Sequence, residues 1–414
     1  MDRKVVVTGL GVITPLGNDV ETFWNNLIAG KNGIGPITRI DTTDYAVKIG
    51  AEVKDFNPAD YMDKAEVRRS DHNVHMGVAA AVQAVEDSGI EGNFDPERAA
   101  VYFGSGIGGI ETFEDNFTKL LEKGPRFVSP YFIPMMIPNM AAGTIAIKYG
   151  MRGPALPSVS ACASGTNAIG EALRLIRHGY ADVVITGGTE AALTRTGLAG
   201  FIKMQALNMT DDVNRASLPF HKDRGGFVIG EGAGALVLES EEHAKARGAK
   251  IYAELAGYGS TCDAHHMTAP DPEAKAGAKA IEDAYVECCK DGAVDPAKVY
   301  VNAHGTGTPL NDKSETAALK KVFGEDAYKI TISSTKSMTG HMLGGTGAAE
   351  AVASILTITN GIVPPTIGLD DPDPECDLDY TPLKAAEKQI DCALSTSLGF
   401  GGHNACIGFK KYEG

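Results

Sequence analysis

Residues 155–176, ALPSVSACASGTNAIGEALRLI, and residues 330–358, ITISSTKSMTGHMLGGTGAAEAVASILTI, share one order of events. Each opens with a short β-prone run, passes through a tight turn of small residues and continues into a helical pattern. Other pairs flank them. VVVTGLG (5–11) is matched by YAELAGYG (252–259), each a strand pattern running into Gly-x-Gly. AVQAVEDSGIEGNFDPERAAVYFGSG (81–106) is matched by AIEDAYVECCKDGAVDPAKVYVNAHGTG (280–307): helix, glycine stop, Asp-Pro, a basic residue, then a Val-Tyr strand ending in glycines. ADVVITGG (181–188) pairs with CALSTSLGFGG (392–402), and GALVLES (234–240) with NACIGFKK (404–411). Self-similarity of this kind predicts a chain built twice over.

Strands alternating with helices predict a parallel-type sheet covered on both faces. The two halves are expected at 1–250 and 251–414, divided near the charged stretch ESEEHAKARGAK (239–250). No Pro/Ser-rich linker separates them, so they should pack as one body. The stretch 104–154 has no counterpart of similar length in the second half, and its SPYFIPMMIPNMAAG (129–143) suits a lid, a pocket wall or a subunit interface.

Composition narrows the setting. With 414 residues, 43% of them hydrophobic, the chain can bury a large core. A net charge of −15 argues against wholesale nucleic-acid binding. No 18-residue apolar stretch reads as a membrane span. The N-terminal run is broken by Gly, Thr and Pro, so it reads as strand and turn rather than a leader. Seven cysteines, odd in number and without C-x-x-C spacing, predict no metal site and suit a reduced, cytoplasmic protein.

The first repeated turn carries Cys162 between two alanines. Ile169, Leu173 and Ile176 keep one helical face and Gly179 stops it, so the helix begins near Ala163. Cys162 then sits at the helix N-terminus, where unpaired N–H groups and the dipole favour thiolate, the nucleophilic form. Small flanking residues permit a sharp strand-to-helix turn and close approach of an acyl group. A cytosolic cysteine is more often simply buried; this turn is what sets Cys162 apart. A nucleophilic thiol also needs a base or hydrogen-bond partner. Of ten histidines, His304 in VNAHGTGTPLND (301–312) and His341 in STKSMTGHMLGG (334–345) lie in matching Gly/Thr-rich turns. Mirrored helices meet across a pseudo-twofold axis, so the repeat predicts that His341 approaches Cys162. His265, His266 and His403 are weaker candidates, while His72, His75, His178, His221 and His243 lie in polar contexts that predict solvated rings.

Together SVSACASGTNAI, NAHGTGTPLND, STKSMTGHMLGG and GFGGHNA resemble the β-ketoacyl-[acyl-carrier-protein] synthases of the thiolase superfamily, over the full length and in their chain-elongating branch. The resemblance implies a thiolase-like five-layer αβαβα fold of two pseudo-symmetric halves and a homodimer. It implies an acyltransferase that condenses an acyl chain, held on Cys162, with malonyl-acyl carrier protein, releasing CO2. No cofactor is implied for the enzyme itself; its substrates ride on the phosphopantetheine of acyl carrier protein. Carried over by motif, His304 and His341 resemble the catalytic pair and Lys336 the lysine that supports it. Glu350 resembles the acidic partner of that lysine. Phe400 resembles the gating aromatic whose N–H joins that of Cys162 in an oxyanion hole. Thr306 and Thr308 resemble the residues that hold the phosphopantetheine arm. Ile107, in GSGIGG (104–109), resembles the gate of the acyl tunnel, with Phe201 lining it nearby.

Competing readings are weaker. Degradative thiolases would place a second cysteine where GFGG has Phe400, and initiating ketosynthases use Cys-His-Asn rather than Cys-His-His. A free-standing polyketide ketosynthase shares all the motifs and stands as the alternative. The glycines at 9, 11 and 17 do not fit the G-x-G-x-x-G of dinucleotide binding. A thiol hydrolase would have to admit water. An acidic carrier protein needs a basic patch on this acidic chain, and Lys64 and Arg68 at i,i+4 with Arg69 beside them offer one.

Overall fold

The computed structural model describes residues 3–414. Its main strands are β1 Val5–Ile13, β2 Ala99–Gly104, β3 Ala155–Ser158, β4 Val183–Ala191 and β5 Glu231–Ser240, followed by β6 Ala253–Cys262, β7 Val299–Asn302, β8 Thr331–Ser333, β9 Cys392–Gly399 and β10 His403–Lys410. They lie in the order β3-β2-β4-β5-β1-β6-β10-β9-β7-β8. From the outer edge inward, the first five strands and the last five follow the same sequence. The two five-stranded halves join edge to edge through β1 and β6, whose ladder pairs Val6 with Glu254 and Val7 with Ala253.

Neither sheet is purely parallel, which corrects the sequence expectation. β2 runs parallel to β3 and β4, and β7 to β8 and β9. β5 and β10 are antiparallel to both of their neighbours. Crossover helices return the chain for the parallel strands. Between β9 and β10 only residues 400–402 are available, so the chain can only reverse. Gly401 and Gly402, at φ of 87° and 76°, supply the left-handed backbone of that turn.

Five helices build the layers: α1 His72–Ser88, α2 Ser164–Arg177, α3 Lys275–Cys288, α4 Pro309–Phe323 and α5 Thr346–Asn360. α1 covers β1 and β5 on one outside face; α3, flanked by α4, covers β6 and β10 on the other. Between the sheets lie α2 and α5, each touching strands of both halves. α5 is buried on every side from Thr346 to Ile358, as a helix apolar all round must be. The result is the expected thiolase-like αβαβα stack.

The Gly-x-Gly pairs have a structural cause. A Cβ on Gly9 or Gly11 would lie 2.0 Å from the Ala84 or Ala80 carbonyl of α1. In the second half, a Cβ on Gly257 or Gly259 would lie 2.1 or 2.0 Å from the Ala284 or Ala280 carbonyl of α3. These glycines let an outer helix lie directly on its strand. No helix among the described residues is long and apolar enough to cross a membrane.

The extra stretch of the first half folds as helices Ile110–Lys123, Phe132–Met136 and Met140–Tyr149. It leaves Phe113, Phe117, Phe127, Ile133 and Ile147 exposed, beside Leu156 on the free edge of β3.

Candidate active site

Cys162 stands in a single 3₁₀ turn, Ala161–Ala163, that runs into α2. The matching turn of the second half, Leu343–Gly345, runs into α5. Ala161 and Leu343 occupy equivalent places and both are left-handed, at φ of 50° and 47°. Backbone held in this sparsely populated region is a feature of functional sites. Gly344 takes the place in the second turn that Cys162 has in the first. A Cβ there would lie 2.6 Å from the Gly106 nitrogen and 2.8 Å from Glu190 Oε2. The two helix starts abut: a Cβ on Gly165 would lie 2.8 Å from the Gly344 carbonyl. This contact carries His341, three residues before Gly344, to Cys162, with Nε2 3.0 Å from Sγ. The approach predicted from the repeat is thus observed.

His304 packs edge-on against His341, ring centroids 5.2 Å apart. Its backbone N–H donates to Glu315 Oε1 at 2.7 Å and to Thr396 Oγ1 at 2.9 Å, and the Gly305 N–H donates to Glu315 Oε2 at 2.8 Å. Lys336 Nζ donates to Glu350 Oε1 at 2.6 Å inside the protein, both side chains being almost fully buried. Burial pushes Glu350 up to about 7, with Lys336 pulling the other way. Burial, aided by the charge of Lys336, also holds His304 and His341 well below the usual histidine range. Both rings are therefore neutral near pH 7.

The thiol departs from expectation. Burial pushes Cys162 up to about 12, although Lys336 and the backbone N–H groups of Phe400 and Cys162 oppose the rise. Desolvation of a thiolate outweighs the helix terminus, so the resting group is a thiol whose proton must be taken as it reacts.

Above the cysteine lies a cavity of about 540 Å³ whose walls include Cys162, His304, His341, Phe400, Thr306 and Thr308. The two threonine hydroxyls lie 3.0 Å apart. Phe227, also in the wall, sets its ring edge-on to His341 at 5.1 Å.

Two further residues stand apart from this cavity. Ile107 is not in its wall and is 39% exposed. Its loop is tied down by Glu190, which accepts from Ser105 Oγ and the N–H groups of Gly106, Ile107 and Gly344. A Cβ on Gly106 would lie 3.2 Å from the Ala161 carbonyl, so this loop rests against the cysteine turn. Phe201 packs on Phe227, one ring removed from His341.

Of the remaining histidines, His265 and His266 are exposed and outside the cavity. His221 corrects the expectation of a solvated ring. It is 1% exposed, with Nδ1 accepting from the Asp223 N–H and Nε2 2.9 Å from Asp370.

Lys64, Arg68 and Arg69 are exposed on and just after the short helix Lys64–Arg68. The nearby acids Asp63 and Glu66 are engaged in a capping box at its start. None of the three cations has an ion-pair partner among the described residues; Arg69 lies over the Tyr131 ring at 5.1 Å.

Comparison with known proteins decides the family. Residues 2–244 match the β-ketoacyl synthase N-terminal domain and residues 252–370 the β-ketoacyl synthase C-terminal domain. The chain belongs to the β-ketoacyl synthase family. A curated 3-oxoacyl-[acyl-carrier-protein] synthase 2 of Synechocystis sp. is 52% identical over 414 residues, covering 99% of each chain. Among solved structures, the ishigamide ketosynthase/chain length factor superposes with a TM-score of 0.92 at 36% identity, covering 100% of both chains. A type II PKS acyl-carrier protein in complex with its ketosynthase bound to the hexaketide gives 0.91 at 34%, again over 100% of both.

Sequence reasoning missed the second tier of this β-ketoacyl synthase site. Glu315 and Asp312, on α4, hold the His304 loop from below, Asp312 Oδ1 accepting from the Gly307 N–H at 3.2 Å. Burial pushes Asp312 up to about 6. Their signal was present as two carboxylates one helical turn apart just after HGTGTP, but a helix start rich in acids ordinarily reads as dipole compensation. Glu190 had no signal at all.

The raised thiol gives a direct check. Alkylation of Cys162 by iodoacetamide should be slow at pH 7 and climb about tenfold per pH unit up to pH 10. A plateau below pH 8 would restore the thiolate reading.

Proposed function

We propose that this β-ketoacyl synthase is the chain-elongating enzyme of fatty-acid synthesis, joining an acyl group on Cys162 to the two-carbon unit of malonyl-acyl carrier protein. The observation that carries this reading is the 3.0 Å contact of His341 Nε2 with Cys162 Sγ, in a cavity edged by Thr306 and Thr308. In the first half-reaction Sγ attacks the carrier thioester. Its proton passes to the neutral His341 and then to the departing carrier sulfur. The N–H groups of Phe400 and Cys162 receive the oxyanion, worth ~3 kcal/mol per donor in such sites. In the second, His304 and His341 donate to the thioester oxygen of the malonyl group while CO2 leaves. The enolate carbon then attacks the carbonyl of the acyl-cysteine, the carbon–sulfur bond to Cys162 breaks, and the departing sulfur takes up a proton from solvent by way of His341 to restore the thiol. Burial, aided by the charge of Lys336, which is paired with Glu350, keeps both imidazoles neutral and so able to accept a proton as well as to donate one. The first half, 1–250, thus brings the nucleophile, and the second, 251–414, the histidines.

The acyl chain runs behind the cysteine turn, past Ile107 and Phe201, away from the cavity that takes the phosphopantetheine arm. No resident cofactor is required. With a fatty acyl-carrier thioester, the protein should gain one acyl mass on the peptide bearing Cys162, and Cys162→Ala should abolish it. Labelling of the mutant at the wild-type level would sink the assignment. Ile107→Phe should block long primers while sparing two-carbon ones, and an equal fall at every length would remove Ile107 from the gate. His304→Ala should impair decarboxylation more than acylation.

Carrier docking is assigned to Lys64, Arg68 and Arg69, the unpaired cations of the capped helix. Arg68→Glu with Arg69→Glu should weaken carrier-bound substrates strongly, more at low salt than at high, and leave a pantetheine mimic nearly unaffected. Equal losses for both substrates would mean that the patch supports the fold.

The free edge of β3, with exposed Leu156, Val159 and Ile147 and the aromatic residues Phe113 and Phe117, is assigned to a second copy. Light scattering should return twice the chain mass; a monomer at micromolar concentration would refute the homodimer.

A further inference from the structure

On the far side of its ring from Cys162, His341 presents Nδ1 to Thr346 Oγ1 at 3.1 Å. Thr346 is the first residue of α5 and is 1% exposed. The ring packs edge-on against Phe227 and His304, with Nδ1 turned to Thr346 and Nε2 to Cys162. We propose that the Thr346 hydroxyl is a positioning residue that sets which nitrogen of His341 carries the proton. When it accepts from Nδ1–H, the Nε2 lone pair faces the thiol and can take its proton. When it donates to Nδ1, Nε2 keeps a hydrogen for an oxyanion. A hydroxyl does both. Exchange between these neutral forms moves one proton onto Nε2 and one off Nδ1, with water as donor and acceptor while the carriers change over.

The inference rests on the condensing-enzyme reading above. Valine has the shape of threonine without the hydroxyl, and a buried N–H without an acceptor is disfavoured. Thr346→Val should therefore hold His341 as the Nε2–H form. Acylation of Cys162 should slow roughly ten- to hundredfold, while decarboxylation of malonyl carrier, which needs only a donor, stays within about twofold. Thr346→Ser should restore acylation. Nitrogen-15 NMR of histidine-labelled protein, with the His341 signals assigned by their loss in His341→Ala, should show a protonated Nδ1 population in wild type and Thr346→Ser that is absent in Thr346→Val. Equal losses of acylation and decarboxylation, or a wild-type acylation rate in Thr346→Val, would overturn the assignment. If wild-type protein takes up no acyl group, the condensing-enzyme reading fails instead.

Discussion

Where α2 and α5 begin, the Gly344 carbonyl lies 2.8 Å from the place a Cβ on Gly165 would occupy, and the Thr166 hydroxyl 2.0 Å from that of Gly347. Two helix starts can meet this closely only across residues that have no side chain. Because each start is also the end of a strand-to-turn segment from its own half, this one contact joins the two sheets' chemistry. It delivers the thiol from one half and an imidazole from the other to hydrogen-bonding distance. The second copy of the turn gives up its own nucleophile position: Gly344 has room for no Cβ, since the Gly106 nitrogen and the Glu190 carboxylate fill the space. One elbow carries the thiol and the other has no room for a side chain at the matching place.

The same closeness removes water. A site so enclosed keeps its groups neutral unless they are paired, and the pattern here follows that rule. Cys162 stays a thiol, His304 and His341 stay uncharged, and the one buried cation beside them, Lys336, has Glu350 as its partner. The helix dipole, which by itself would favour thiolate at Cys162, is the smaller effect. Neutral imidazoles that can both accept and donate suit chemistry in which one half-reaction moves a proton and the other develops an enolate.

Much of the fold was legible because the chain repeats. Gly-x-Gly on β1 and β6, the Asp-Pro stops before β2 and β7, and the two small-residue turns are local features that recur at matching places. The Gly-x-Gly pairs are forced by the helix lying on them, and Asp95 and Asp295 each cap the short turn that follows. Cys162, His304 and His341 could be picked out for the same reason, since each lies in one of the recurring turns. The mixed direction of the strands was not legible from helix–strand alternation. In the second half it depends on the β9–β10 turn being too short for a crossover, whereas in the first half β4 and β5 are antiparallel across the long connection 192–230, a pairing set by the tertiary structure.

What the sequence determined by itself was therefore the set of turns, their two-fold repetition and the residue types placed in them, all governed by backbone conformation and side-chain size over a few residues. Tertiary structure decided the charge states and the supporting groups. Whether Cys162 is a thiol depends on how completely α2 and α5 exclude water. The Glu190, Asp312, Glu315 and Thr346 contacts join segments from 5 to 154 residues apart. Desolvation acts through space, and a contact such as Glu190 with the Gly344 N–H joins segments far apart in the chain, so the charge state of Cys162 is not written in its own turn.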